Sequence, residues 1–326
     1  MFVVKVARIM ILSCMLLLLT TPLNAQQYPS RPIRILVGFA AGGTTDGLAR
    51  IYAQKLQELL GTAVIVENRP GASQLLAIQA LMAASPDGYT LWLGTSSALA
   101  QGPSVRTDLP YDSLKSFSHV SMIATAPGIF IVNPTLPIHT VNELVSYAKA
   151  NPDKLFFSSA GVGAANHIQF EYLMKVTGTS MTHVPFKSDQ QASFEVVAGT
   201  VGVSVLTANF AVPLALDGKV RPLAVVGTKR LSALPDVPAI SELDMPEVKG
   251  INYYTFYGLV GPAGMAPAII ERLNDASNKV SALPDFQNRL REALFMESVA
   301  GSPKEFRDYL EGELARWRQV GTSIRF

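Results

Sequence analysis

Short apolar runs bounded by Gly, Pro or Asn alternate along this chain with stretches whose apolar residues return every three or four positions. The runs are "IRILVGF", "AVIVEN", "TLWLGT", "HVSMIA", "GIFIVNP", "LFFSSA", "THVPF", "VGVSVLT", "RPLAVVG" and "YGLVGP", and each reads as a strand. Strands separated by helices predict an α/β fold with parallel sheets. Thr45 or Asp46 suits the N-cap of the first helix, which carries Leu48, Ile51, Leu56 and Leu59 on one face and meets Gly61 at its end. Three further helices open on capping boxes: Thr140 with Glu143, Ser188 with Gln191, and Ser302 with Glu305, the last with Pro303 at the first helical position. The helix after Pro303 presents Phe306, Tyr309, Leu310, Leu314 and Trp317 on one face, so it should end the chain by docking on the first lobe.

A chain of 326 residues is long for one compact core, which favours two lobes. Two extended stretches look like crossings between them, near 121–134 and 251–262. Lobe one is then residues 27–127 plus 254–326, and lobe two is 128–253. Two crossings make a hinge, and a ligand would bind in the cleft.

Composition removes several function classes. Lys5 and Arg8 precede an apolar run over 9–19 that is too short to span a bilayer, and "TPLNA" ends on the small residue Ala25. Residues 1–25 therefore read as a secretory signal peptide. Cys14 is the single cysteine and lies inside it; "ILSC" resembles a lipoprotein acceptor, but most of the apolar run follows the cysteine, which favours ordinary cleavage. The remaining chain has no thiol for a disulfide, a nucleophile or a zinc–thiolate site. Without the leader, the 27 basic residues lose two and balance the 25 acidic ones. No basic block appears, which argues against nucleic acid.

The turn "GFAAGGTTDG" stands where a strand hands over to a helix. It lacks the spacing of GxGxxG and the Lys–Ser/Thr of a P-loop. Gly42 and Gly43 permit close backbone approach, while Thr44, Thr45 and the first amides of the helix supply donors. An anion site and a plain tight turn both fit, and Asp46 reads as a cap or brace. "GTSSALAQ", "SSAGVGAANH" and "RPGASQ" repeat this chemistry at strand ends, the expected place for ligands in open α/β sheets. Catalytic signals are thin. His119, His139, His167 and His183 lack metal-ligand spacing, and GxSxG is missing. Ser159 beside His167 is the nearest thing to a nucleophile and base, and it has no acid partner nearby.

The segments "YPSRPIRILVGFAAGGTTDGLAR", "VIVENRPGA", "SPDGYTLWLGTSSALA", "LPYDSLKSF", "SSAGVGAANH", "HVPFK", "LPDVPAISEL" and "GLVGPAGMAP" occur in this order. Together they resemble the substrate-binding proteins of tripartite tricarboxylate transporters, the Bug family, across the whole chain after the leader. The resemblance implies a two-lobed, type II-like periplasmic binding protein, monomeric, that needs no cofactor or metal. It implies capture of a small carboxylate by backbone N–H groups, hydroxyls and waters, followed by delivery to membrane transporter subunits. Carried over by motif, lobe one contributes Phe39, Ala41, Gly42, Gly43, Thr44, Thr45, Ser73, Thr95, Ser96 and Ser97. Lobe two contributes Ser159, Ala160, Gly161, Val162, Gly163, Ala164, His167, Phe186 and Lys187, and Leu206 and Thr207 close the pocket.

The chain departs from the family pattern where it matters. Ser73 and Gln74 replace a usual glycine pair, Phe186 a common tyrosine and Ser188 a usual glycine. The family commonly has aspartates at the positions of Gly202 and Leu206. Losing an acid at Leu206 removes a partner for a ligand ammonium. The expected ligand is thus a carboxylic acid without an amino group, with an apolar body against Phe39, Phe186 and Leu206. Rival expectations are a ligand-loaded partner of a membrane sensor kinase, and a secreted hydrolase or lyase built on Ser159 and His167.

Overall fold

The computed structural model describes residues 28–251 and 254–321. The leader reading, with Lys5, Arg8 and Cys14, lies outside the described residues, as do Asn252 and Tyr253 of the second crossing. No helix among the described residues is long and apolar enough to cross a membrane.

All ten apolar runs form strands: β1 (Ile33–Val37), β2 (Val64–Asn68), β3 (Thr90–Thr95), β4 (Phe117–Ala126), β5 (Gly128–Val132), β6 (Phe156–Ser159), β7 (Thr182–Pro185), β8 (Val203–Thr207), β9 (Arg221–Val226) and β10 (Thr255–Pro262). A two-residue strand, β11 (Glu297–Ser298), was not expected. The helices are α1 (Thr44–Leu60), α2 (Leu75–Met82), α3 (Gly102–Val105), α4 (Val141–Ala150), α5 (Ala165–Thr177), α6 (Asp189–Ala198), α7 (Ala208–Leu216), α8 (Pro267–Ala282), α9 (Pro284–Arg289) and α10 (Pro303–Gly321).

Two separate sheets result, with strand orders β11-β4-β10-β3-β1-β2 and β7-β6-β8-β5-β9. The expectation of parallel sheets needs correction, because both are mixed. β1 runs parallel to β2 and β3, but β10 is antiparallel to β3 and β4. β6 runs parallel to β7 and β8, but β5 is antiparallel to β8 and β9. The exceptions have a common origin. β4 and β5 are one extended stretch that changes sheet at Pro127, a residue with no N–H to offer a ladder. The chain returns to the first sheet as β10, and each transferred strand enters against the local direction. Strands β3, β5 and β10 are buried along their whole length.

The described residues from Arg31 onward hold together as one unit. One apolar cluster runs through it from Leu36 and Trp92 to Phe130 and Phe157, and a second, with Ile129, Ala211 and Val225, covers the other face of β5 and its neighbours. α10 buries Phe306, Leu310, Leu314 and Trp317 in the first of these and packs on β4, while Tyr309 stays partly exposed. The caps form: Thr140, Ser188 and Ser302 accept from the backbone N–H groups of Glu143, Gln191 and Glu305. Only Glu305 closes a full box on its cap N–H, while Glu143 and Gln191 accept from His139 N and Lys187 N one residue earlier. Two details of α1 differ from expectation. Its N-cap is Gly43, which places Thr45 and Asp46 inside the first turn. Its buried stripe steps by four through Leu48, Tyr52, Leu56 and Leu60, which leaves Leu59 exposed.

Candidate functional site

Five strand-to-helix turns, three of them singled out in the sequence, converge on one cavity of about 630 Å³, part of it open to solvent. The turn after β1 brings Phe39, Gly43, Thr44 and Thr45 to its wall; the turn after β3 brings Thr95 and Ser97. The turn after β6 adds Ala160, Ala164, Ala165 and Asn166, with Gln169 one turn along α5. β8 ends on the cavity with Val205, Leu206 and Thr207, and Ser188 and Asp189 open α6 onto it. Gly128, Thr255 and Tyr257, from the strands that change sheet, complete the wall.

Helices α1, α5 and α7 all start at this cavity. Their N-cap residues, Gly43, Ala164 and Thr207, make no side-chain capping bond to the first turn. Helix starts of this kind carry partial positive charge and unsatisfied N–H groups, which suits an anion. None of the lining residues is Lys, Arg or His. Leu206 is fully buried, and it gives the wall an apolar patch with Phe39, Val205 and Tyr257. Gln169 is buried with no partner for its Oε1.

Ten of the residues carried over by motif line the cavity: Phe39, Gly43, Thr44, Thr45, Thr95, Ser97, Ala160, Ala164, Leu206 and Thr207. The others stand behind or beside the wall. Ala41 is exposed in the first turn, and Gly42, at positive φ, donates its N–H to Asp46 Oδ2 at 3.0 Å. Ser96 is fully buried. Ser73 donates to the Val162 carbonyl, so it links two turns instead of facing the cavity. Phe186 packs among the second apolar cluster, and Lys187 is exposed.

The turn after β6 departs most from expectation. Its amides were expected to face the ligand, yet four of them are used inside the protein. Ala160 N donates to Asn166 Oδ1 (3.2 Å), Gly161 N to Ser159 Oγ (3.1 Å), Gly163 N to His167 Nδ1 (2.9 Å) and Ala164 N to the Gly161 carbonyl (3.1 Å). Gly161 and Gly163 take φ of 125° and 77°, which curls the turn back on its own side chains. The histidine paired with Ser159 is also not the expected one. Ser159 Oγ lies 2.6 Å from His183 Nε2, and His183 stacks on His167 with ring centroids 3.8 Å apart. Burial, and then the neighbouring His167, push His183 down to about 4. Ser159 is fully buried and outside the lining.

Sequence reading missed Asp189, the one acid of the wall. Its Oδ1 accepts from Asn166 Nδ2 at 2.9 Å and its Oδ2 accepts from Thr207 Oγ1 at 3.0 Å. Burial pushes its carboxyl up to about 6, against the lowering effect of the bonds from Thr207 and Asn166. Burial and then the Asp189 charge push Tyr257 upward. A signal was present in the capping box "SDQQ", which puts this aspartate in a first helical turn directly after a strand. Gln74, noted in the sequence as a replacement for a usual glycine, is fully enclosed, and its Nε2 donates to Thr95 Oγ1 (2.8 Å) and Ser97 Oγ (3.1 Å) and so sets two lining hydroxyls.

This geometry has counterparts. The model of the tripartite tricarboxylate transporter family receptor matches residues 48–325. The chain belongs to this receptor family. Protein BugT of Bordetella pertussis is 30% identical over 94% of this chain and 94% of its own. Among solved structures, Rpa4515 of R. palustris with adipate is 31% identical, covers 91% of this chain and 98% of its own, and superposes with a TM-score of 0.84. MatC of Rhodopseudomonas palustris with bound malate is 27% identical over 90% of this chain and all of its own, also with a TM-score of 0.84. The receptor family is one of solute-binding proteins, and its two-sheet α/β architecture is the one seen here.

Proposed function

We propose that this receptor captures a small organic carboxylate without an amino group and delivers it to a tripartite tricarboxylate-type membrane transporter. The carrying observation is the convergence of three helix starts without side-chain caps on a cavity whose wall has no basic side chain. Oriented amides and hydroxyls hold an anion there without a fixed cation. The apolar patch of Phe39, Leu206 and Tyr257 suits the carbon body of the ligand. Leu206 offers no charge to an ammonium, and the acids named with two neighbours, adipate and malate, have none.

The working cycle has two lobes, one per sheet, closing across the cavity. The first sheet draws on residues 33–126 and 255–298, the second on 128–226. Hydrogen bonds already reach across: Thr44 Oγ1 contacts Thr207 Oγ1 at 2.8 Å and donates to Asn209 Oδ1 at 3.0 Å. Only the closed form would present the face that the transporter reads. Secretion to the periplasm through the leader at 1–25 fits this role, and the receptor works as a monomer. Mass spectrometry of the acid that co-purifies with the protein tests the reading, followed by calorimetry with that acid. Tight binding of glutamate or aspartate, with none for amine-free acids, rejects it.

A further inference from the structure

The cavity holds a carboxyl group and no cation. Asp189 and Tyr257 are the titratable side chains among its lining residues. An acid that enters as an anion meets Asp189, and two like charges in a site partly shielded from water repel strongly. The hydroxyls around Asp189 show how the conflict is relieved. Asp189 Oδ2 lies 3.0 Å from Thr207 Oγ1, Thr207 Oγ1 lies 2.8 Å from Thr44 Oγ1, and Thr44 Oγ1 donates to Asn209 Oδ1 at 3.0 Å. Three contacts thus run in series, and the two hydroxyls bring one hydrogen each. The Thr44 hydrogen goes to Asn209. The Thr207 hydrogen then serves either Thr44 or Asp189, and with the carboxyl ionised one contact lacks a hydrogen. With the carboxyl protonated all three are filled, in the order Asp189, Thr207, Thr44, Asn209. Turning the Asn209 amide so that Nδ2 donates reverses the chain and suits the ionised form. Here Thr207 donates to Asp189 and Thr44 to Asn209, so the contact between the two hydroxyls stays without a hydrogen until the carboxyl gains a proton or the Asn209 amide turns.

We propose that Asp189 is a specificity residue that is neutral in the liganded protein, so that a carboxylate captured from neutral solution takes one proton from solvent into the cavity with it. This rests on the reading of the cavity as a carboxylate site. Burial favours protonation against the bonds that Asn166 and the Thr207 side chain and backbone make to the carboxyl, and no cation adds to those bonds. Asn166 of α5, Thr207 of β8 and Asn209 of α7 are uncharged, and Tyr257 of β10 brings no positive charge. Lys187, two residues before Asp189, is exposed and outside the lining. Burial already moves the carboxyl to about 6, and a bound anion moves it higher. The proton also completes the hydroxyl chain from Thr44, on the first-sheet side, to Asp189 on the other. A ligand carboxylate is thereby accepted, and a second fixed charge near Asp189 is not required.

Calorimetry tests this with succinate, glutarate and adipate as probes, each beside its 2-amino counterpart: aspartate, glutamate and 2-aminoadipate. Titrations in two buffers of different ionisation heat count the protons exchanged. The expected result for the wild-type protein is uptake of close to one proton at neutral pH. Affinity should fall about tenfold per pH unit on the alkaline side of the Asp189 midpoint. Asp189→Asn, which keeps the shape, should bind the same acids with no uptake and little pH dependence. Binding of the acids without proton uptake by the wild-type protein overturns the proposal and leaves the carboxylate reading standing. Preference for the amino acids, lost in Asp189→Asn, overturns it in favour of an ammonium partner. Failure of every probe to bind overturns the carboxylate reading and the proposal together.

Discussion

Asp46 and Asp189 each sit in the first turn of a helix beside the cavity, one on the first-sheet side and one on the second. Both are largely enclosed, yet their chemistry diverges. For Asp46 burial works to raise the carboxyl, but bonds from Arg50, Gly42 and Asn68 outweigh it and hold the group below its ordinary value. Arg50 Nε donates at 2.9 Å and Asn68 Nδ2 at 2.9 Å. Asp189 has two neutral partners and no cation, and burial wins. The cation decides which aspartate is a strut and which remains free to respond to a ligand.

The turns of the two sides contrast in the same way. After β6, glycines occupy the left-handed positions Gly161 and Gly163. Before α2, the equivalent strain falls on Ala72, Ser73 and Gln74, with φ of 46°, 51° and 76°. Ser73 and Gln74 are held in that region by what their side chains reach, the Val162 carbonyl and the hydroxyls of Thr95 and Ser97. Gly38 is the other half of this arrangement, since a Cβ there would lie 2.4 Å from Gln74 Cβ.

Five substitutions, one of them used only in a pair, sharpen the contrast. Gly38→Ala should have the largest effect, a loss of about 2–4 kcal/mol in denaturant unfolding. Pairing it with Gln74→Gly should return part of that loss; equal cost in both backgrounds would show that Gln74 is not the obstacle. Asp46→Ala comes next, about 2 kcal/mol less stable at neutral pH. Its folded pKa is depressed, so the aspartate stabilises above its unfolded value and the difference from wild type should shrink as pH falls below about 4. Asp189→Asn should have the opposite sign. With a folded pKa raised to about 6, the native protein binds more protons than the unfolded chain between the two values. Wild-type stability therefore declines as pH rises through that window, and the variant escapes the decline. A gain of about 1–2 kcal/mol at neutral pH, vanishing near pH 4, is expected from thermal melts at several pH values. Ser73→Gly should change stability least, within about 1 kcal/mol, because relief of a left-handed serine offsets the lost bond. A loss well beyond that would mean the link to Val162 matters more than the strain.

How far the sequence could be read follows the range of the forces involved. Strands and caps were legible because they depend on neighbours: an apolar run ended by glycine, or Ser302 three residues before Glu305. Strand direction was not, since the reversal of β5 and β10 follows from where the chain changes sheet at Pro127. The cavity wall divides similarly. Thr44, Thr95 and Thr207 were visible as polar residues at strand ends. Ser73 and Gly161 carried the same local signal but are turned elsewhere, toward partners distant in sequence. Asp189 was passed over because nothing local shows that no arginine will reach it.

The contact between Ser73 and Val162 joins two turns that belong to different sheets. After position 14 the polypeptide has no cysteine. Leu76 and Val162, both about half exposed beside that contact, are therefore clean sites for a pair of thiol-coupled fluorophores. Dyes placed there would turn the receptor into an optical gauge of the solute it collects.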